Sequence, residues 1–364
     1  MLKPHIYRGR RAASIENDDV RVTVLEEGGH IAEILDKRSE INPLWTPPWP
    51  SIEPSTYTPS AHPGYGTSAE AALLAGLMGH NLCVDIFGGP SEEEAAAGLT
   101  PHGEASLVRY DIDADRDRHS IAMHAHLPLA QLQIDRRLVL RGRVLAISEA
   151  VENLTACDRP IGWTQHVTLG PPFLQKGITE FRVSATRSKV FEQVFGAHDD
   201  LAAGRAFDWP LAPRTDGGAS DLRRYTDAPH SNAYTAHLMD QTREEAFFVA
   251  FAPAARLAFG YIWKRRDFPW LGIWQENHSR THAPWNGATL TCGMEFGVSP
   301  MPESRRAMID RGRLFDVPTY RWIPAKSRVG VEYCAVIREA DAVPELLEMG
   351  TWGLRDLGTE GSRD

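Results

Sequence analysis

The chain has 364 residues, of which 42% are hydrophobic and 24% charged, an ordinary soluble composition with room for one large all-β domain or two smaller ones. Its net charge of -9 is spread without a long run of one sign, so no basic stripe offers itself to a nucleic acid. No stretch approaches the length of a membrane span, and the basic start MLKPHIYRGRRAAS has no apolar run after it, so it does not read as a secretory signal.

The four cysteines, Cys83, Cys157, Cys292 and Cys334, show no CxxC or zinc-ribbon spacing. They predict reduced thiols in a cytoplasmic protein. The 10 tryptophans suit a large β core and equally suit stacking on flat ligands.

In chain order, residues 20–36 read as a hairpin around Gly28-Gly29. Residues 42–66, rich in Pro, Ser and Tyr, read as an ordered loop or lid, or a flexible insertion. Their two tryptophans favour packing on something. Residues 69–78 predict a short helix. A strand-like LCVDIF follows, then a Gly88-Gly89-Pro90 break, then Pro101-His102-Gly103. A histidine between Pro and Gly sits on a tight turn, where backbone rather than core packing positions its ring.

Residues 108–169 read as successive strands. In the last, IGWTQHVTLG, His166 shares a face with Thr164 and Thr168, while Trp163, Gln165 and Val167 take the other. Residues 180–194 predict a strand, and 196–230 a long connection. AYTAHLM, AFFVAFA, RLAFGYIW and WLGIWQENH are four further strands.

Residues 287–300, GATLTCGMEFGVSP, alternate with period two. Leu290, Cys292, Met294 and Phe296 form an apolar face; Thr289, Thr291, Gly293 and Glu295 form a smooth polar one. A carboxylate on such a face is either a solvated strand residue or the floor of a binding site. PESRRAMIDRGRLFD then predicts a short helix, YRWIPAKSRVGVEYCAVI a strand pair, and AVPELLEMGTWGL a closing amphipathic helix. A dozen or more strands with turn signals between them suggest a sandwich, without a composition break that would mark a second domain.

DIDADRDRH lacks the glycine and glutamate of a calcium loop. Phosphate loops, dinucleotide fingerprints, nucleophile elbows and HExxH are absent from the sequence. What survives is a carboxylate and two imidazoles, Glu295, His166 and His102, a set suited to moving protons near neutral pH.

The order and setting of these three residues resemble the aldose 1-epimerase (galactose mutarotase-like) superfamily, including its glucose-6-phosphate 1-epimerase-like branch. VRVTVLEEGGHIAEILD looks like the opening hairpin. NLCVDIFGGP and LTPHGEA look like the segment leading to the first histidine, His102. ENLTACDRPIGWTQHVTLG looks like the strands leading to the second, His166. LGIWQEN and LTCGMEFGVSPMPES look like the last two site strands, the second carrying Glu295.

The resemblance implies an all-β, mainly antiparallel β-supersandwich with a few short helices, one domain over residues 1–364. It implies an isomerase that opens a sugar ring. Glu295 would take the anomeric hydroxyl proton, His166 would protonate the ring oxygen, and His102 would position the sugar. The acid and base are expected on opposite edges of the ring. No metal and no cofactor are implied. The expected partner is a small-molecule carbohydrate, with no nucleic acid and no membrane, and with a homodimer as one assembly open to it.

The sequence departs from the family pattern. Where the family commonly has an arginine before the first histidine, MGHNLC offers His80 and Asn81 for the sugar. The family's sugar-binding aspartate has no clear counterpart, although Asp227 and Asn232 lie in the region. Asp85 and Gln275 are candidates for sugar contact, and Trp285 for stacking on a ring. Trp274 and Trp163 have the parity opposite to Gln275 and His166 and are expected in the core. Lys264 reads as a strand-end lysine, with anion binding as the alternative. Two other functions stay open: a sugar-binding or sensing protein without turnover, and an oligosaccharide hydrolase or lyase. The latter needs a second carboxylate, which Asp85 or Glu276 could supply.

Overall fold

The computed structural model describes residues 5–115, 117, 119–194, 196 and 198–349. Two antiparallel sheets lie face to face. Among the described residues, the larger has twelve strands and runs from the N-terminal strands to His80–Asp85, then Arg159–Leu169, Leu290–Gly297, Trp270–Asn277 and Ser231–Met239. The smaller has eight and is centred on Leu257–Lys264, Arg328–Glu339 and Val144–Asn153.

Period-two alternation fills the layer between the sheets. Leu82, Val84, Trp163, Val167, Ile273, Met294 and Phe296 meet Phe248, Phe259, Tyr261, Trp263 and Tyr333 from the smaller sheet. Trp263 stacks on Phe296 with ring centroids 4.3 Å apart. Burying each such ring contributes roughly 1.5–3 kcal/mol.

One polar thread crosses this core. Arg136 and Glu149, both fully buried, pair at 2.8 Å. Glu149 accepts hydrogen bonds from Trp163 Nε1 at 2.5 Å and Gln165 Nε2 at 2.7 Å. Gln165 Oε1 lies 3.0 Å from His80 Nε2, whose other ring nitrogen is 2.9 Å from the Tyr261 hydroxyl. His80 is therefore a core residue and not a sugar contact. It shares strand parity with Leu82 and Val84, so only its neighbour Asn81 reaches the opposite face.

Several element boundaries differ from the sequence expectation. The hairpin at 20–36 forms as Val20–Leu25 paired with Ile31–Asp36. The predicted strand at 180–194 is two strands, Glu180–Val183 in the smaller sheet and Ala185–Val190 in the larger. The connection at 196–230 carries three short strands. The predicted pair near the end does not pair with itself: Arg321–Ile323 joins Arg159–Leu169, while Arg328–Glu339 runs between two strands of the other sheet.

Helices form at Ala71–Gly76, Glu92–Ala96 and Arg305–Arg311. The closing helix is not formed over its described part, 342–349. There the chain lies on the smaller sheet and buries Leu347 against Phe247, Val249 and Val336. Residues 350–354 of that expectation fall outside the described residues. The four cysteines are free, with only Cys157 exposed. Among the described residues, no helix is long and apolar enough to cross a membrane.

The outer face of the larger sheet is also covered. Trp45, Leu73, Leu74, Leu77, Phe87, Tyr234, Trp274 and Trp285 form a second apolar cluster there. The Pro-rich stretch 42–66 belongs to this cover. Trp49 packs edge-on against Trp45 and Trp285 and donates its indole N–H to Leu74 O at 2.8 Å.

Candidate active site

Strand register brings the candidate residues into one row. His166 lies opposite Asn81 on one side and Glu295 on the other, and Glu295 lies opposite Gly272. Four adjacent strands thus present Asn81, His166, Glu295 and Gly272 side by side on the face away from the main core. The two glycines beside Glu295 leave room. A Cβ at Gly272 would run into the Tyr234 hydroxyl, and one at Gly293 into Glu295 Oε1. Tyr234 is held by its own hydrogen bond to Pro300 O at 2.9 Å.

His166 Nε2 stands 3.1 Å from Glu295 Oε1, and its Nδ1 is 3.0 Å from the Thr168 hydroxyl. Both members are almost wholly buried. Burial raises the Glu295 carboxyl well above the usual range and lowers the His166 imidazole well below it, with His102 adding to the latter. Each shift disfavours the charged form of its own group.

His102 arrives from a loop. Its φ is +68° and that of Gly103 is +74°. A non-glycine residue in this region costs on the order of 1–3 kcal/mol and is concentrated at functional sites. The Pro-His-Gly turn read from the sequence is therefore a strained turn that aims the ring. The His102 and His166 ring centroids are 4.8 Å apart.

Asn81 sets the His102 tautomer. The Asn81 amide nitrogen lies 3.0 Å from Ser106 Oγ, which itself donates to Leu82 O at 2.8 Å. An amide nitrogen only donates, so His102 Nδ1, 3.3 Å from it, accepts. The His102 proton then sits on Nε2. Burial, and then the charge of Arg280, lower its pKa to about 4.

A cavity of about 120 Å³ is lined by His102, His166, Glu295, Tyr234, Trp274 and Trp285, with Glu70 and Arg280 at its wall. The loop after Trp270–Asn277 supplies Arg280 and Trp285. Glu276 fastens that loop: one carboxylate oxygen accepts from the Ser279 and Arg280 amides at 2.7 and 2.9 Å, and the other from Asn232 Nδ2 at 2.6 Å. The Arg280 guanidinium sits 4.8 Å from the Trp285 ring centroid and 5.5 Å from that of Trp274.

The residues singled out from sequence thus divide. Glu295, His166, His102 and Trp285 line the cavity, and Asn81 stands behind His102. Asp85 does not face it. Its buried carboxylate is held bidentately by Arg159 at 2.9–3.1 Å and is also paired with Arg305. Gln275 is also out of place. It lies opposite Cys292, a core residue, and so points into the sandwich, while its neighbour Trp274 faces the cavity with its ring 6.1 Å from His166. Trp163 is in the core as expected. Asn232 serves Glu276, Asp227 packs near Gly177, and Lys264 pairs with Glu332 at 2.9 Å.

Sequence reading missed Trp274, Tyr234, Glu70 and Arg280. Parity within WLGIWQEN left two choices of face, and only the pairing of Gly272 with Glu295 selects the correct one. Among the described residues, no three His, Cys, Asp or Glu side chains converge as a metal site.

The fold is the galactose mutarotase-like one. The chain is similar to a structure from Klebsiella pneumoniae provisionally designated an aldose 1-epimerase (TM-score 0.62, 14% identity, 93% of this chain and 82% of that one). It is similar to a galactose mutarotase-like protein from Clostridium acetobutylicum (0.60, 12%, 93% and 98%). It is also similar to a galactose mutarotase related enzyme from Lactobacillus acidophilus (0.58, 11%, 92% and 99%). No protein-family model matches the chain, and comparison with curated proteins gives no match.

Proposed function

We propose that the protein interconverts the anomers of a monosaccharide, with Glu295 and His166 exchanging protons with O1 and O5 of the sugar. The observation that carries this reading is the 3.1 Å contact between Glu295 Oε1 and His166 Nε2 on adjacent strands. O1 and O5 are bonded to the same carbon, so the acid and base that serve them belong side by side. The expectation of groups on opposite edges of the ring gives way to this simpler geometry.

The opposing pKa shifts favour the neutral pair, from which the charged pair forms by moving one proton across the 3.1 Å contact. Carboxylic acid plus imidazole, and carboxylate plus imidazolium, hold the same number of protons. Burial favours the first form, and the attraction between opposite charges favours the second. In the charged form Glu295 takes the O1 proton and His166 gives its proton to O5. The C1–O5 bond breaks, a C1 carbonyl forms, and the pair becomes neutral. After rotation about C1–C2, His166 takes the proton back from the O5 hydroxyl. O5 attacks the other face of C1, and Glu295 returns a proton to O1. The His102 Nε2 proton is available to a sugar oxygen throughout. Each proton transfer is worth roughly 10²- to 10⁴-fold.

Two-carboxylate hydrolysis through Asp85 or Glu276 finds less support, because both are committed to other partners. The cavity, about 120 Å³, is well below the 300–1,000 Å³ usual for ligand pockets. That size favours a single sugar unit over an oligosaccharide. Anomer exchange measured by NMR over hexoses, pentoses and uronic acids tests the reading. Exchange should accelerate for at least one sugar and return to the spontaneous rate with Glu295→Gln. Binding without acceleration would make this a sugar-sensing protein instead.

A further inference from the structure

We propose that Arg280 and the indole N–H of Trp285 form a carboxylate-binding edge, so that the preferred ligand is an acidic monosaccharide of the uronic acid class. This rests on the reading of the cavity as a sugar site and adds which sugar it selects.

Arg280 is the sole Lys or Arg on the cavity lining among the described residues. Two ring faces hold its guanidinium in place: Trp285 at 4.8 Å and Trp274 at 5.5 Å. Two carboxylates stand near it, Glu276 at 3.5 Å and Glu70 at 3.8 Å. Neither makes a hydrogen bond to it. Glu276 Oε1 accepts from the Ser279 and Arg280 amides and Oε2 from Asn232. Glu70 stands at the rim with 43% of its side chain exposed, where its charge is screened by water. The guanidinium is therefore held by two rings and ion-paired at 3.5 and 3.8 Å, with no direct side-chain hydrogen bond to either carboxylate.

A second observation points the same way. Trp285 is 1% exposed and lines the same cavity, and its Nε1 is buried without a hydrogen-bond partner. A buried donor of this kind costs on the order of 1–3 kcal/mol until an acceptor arrives. The cavity wall thus carries two donors, the guanidinium and the indole N–H, beside the rim carboxylate of Glu70. A neutral sugar hydroxyl brings a donor of its own to these donors. A carboxylate brings acceptors only, and its two coplanar oxygens match the guanidinium fork. A phosphate dianion would call for more than one cation, and here one cation is already flanked by two carboxylates.

Equilibrium binding of D-glucuronate and D-galacturonate, each against D-glucose and D-galactose, tests this by calorimetry on the full chain. The uronate should bind about tenfold or more tightly than its neutral partner. Added salt should shrink that ratio, and Arg280→Gln should abolish it. Arg280→Lys keeps the charge without the fork and should retain only part of it. Trp285→Phe keeps the ring without the N–H and should also reduce it. Thermal melts of each variant exclude loss of fold as the cause. Equal affinity for acidic and neutral sugars in the wild-type protein, or no uronate binding at all, would overturn the proposal. So would a uronate preference that survives in folded Arg280→Gln. Glu295→Gln separates the two readings. A uronate preference kept in that variant supports the edge, even if the wild-type protein never accelerates anomer exchange. Accelerated exchange without uronate preference supports the catalytic reading and sinks this one.

Discussion

Gly293 lies directly under the Glu295 carboxylate, two residues back on the same face of the same strand, and a methyl group on its Cα would overlap Oε1. The overlap is with the far end of a flexible side chain and not with backbone. Gly293→Ala should therefore fold, with the carboxylate pushed off His166. Anomer exchange should fall about 10²-fold or more, while the melting temperature moves by only a few degrees. Wild-type exchange in this variant would show that the carboxylate position is not critical.

Glu295 and His166 act as one unit in the proposed reaction. Glu295→Gln and His166→Gln should each lower kcat by about 10²- to 10⁴-fold, and the double variant should be little worse than either. Multiplying losses would mean that the two residues act independently.

The tautomer of His102 depends on Asn81. Asn81→Asp places an acceptor opposite Nδ1, which draws the ring proton there and away from the cavity. Activity should drop about tenfold or more. The 15N shifts of the His102 ring should report the change from Nε2–H to Nδ1–H. An unchanged tautomer with lost activity would assign Asn81 some other role.

Stability should fall as the medium is acidified from neutral. Burial holds the folded-state pKa at about 3 for His30, about 3 for His237 and about 4 for His102. The unfolded chain titrates each near 6.5. Between these values the unfolded state binds more protons, so unfolding free energy rises with pH there and is lost as pH falls from 6.5 toward 4. The loss is about 2 kcal/mol per histidine by pH 5. Urea midpoints at pH 7 and pH 5 measure it. Equal midpoints would show that these rings protonate in place.

The buried Arg136–Glu149 pair anchors Trp163 and Gln165 on the strand of His166. Arg136→Met leaves Glu149 without its counter-charge and should cost about 3–5 kcal/mol. A denaturation curve shifted by much less would mean that the pair contributes little to stability.

The sequence carried the all-β class, the hairpin at 20–36, the packing of the Pro-rich stretch and the histidine on its Pro-Gly turn. Each of these follows from local rules: period-two alternation, turn chemistry and the burial of large rings. The trio Glu295, His166 and His102 was legible because a polar residue on an otherwise smooth strand face, or a ring on a tight turn, stands out from its neighbours.

What the tertiary structure alone decided is which face of each strand meets the cavity. His80 or Asn81, and Trp274 or Gln275, are adjacent residues on opposite faces, and a shift of one residue exchanges them. Pairing between separate strands fixes that choice, as with His166 beside Asn81, 85 positions away, and Gly272 beside Glu295, 23 positions away. The same holds for charge. Asp85 reads from the sequence as an available carboxylate. Arg159 and Arg305 neutralise it only because two distant segments fold back onto it. Conversely, Arg280 shows no pattern in sequence. Its place between Trp274 and Trp285 exists only once the loop fastened by Glu276 has closed over the sheet.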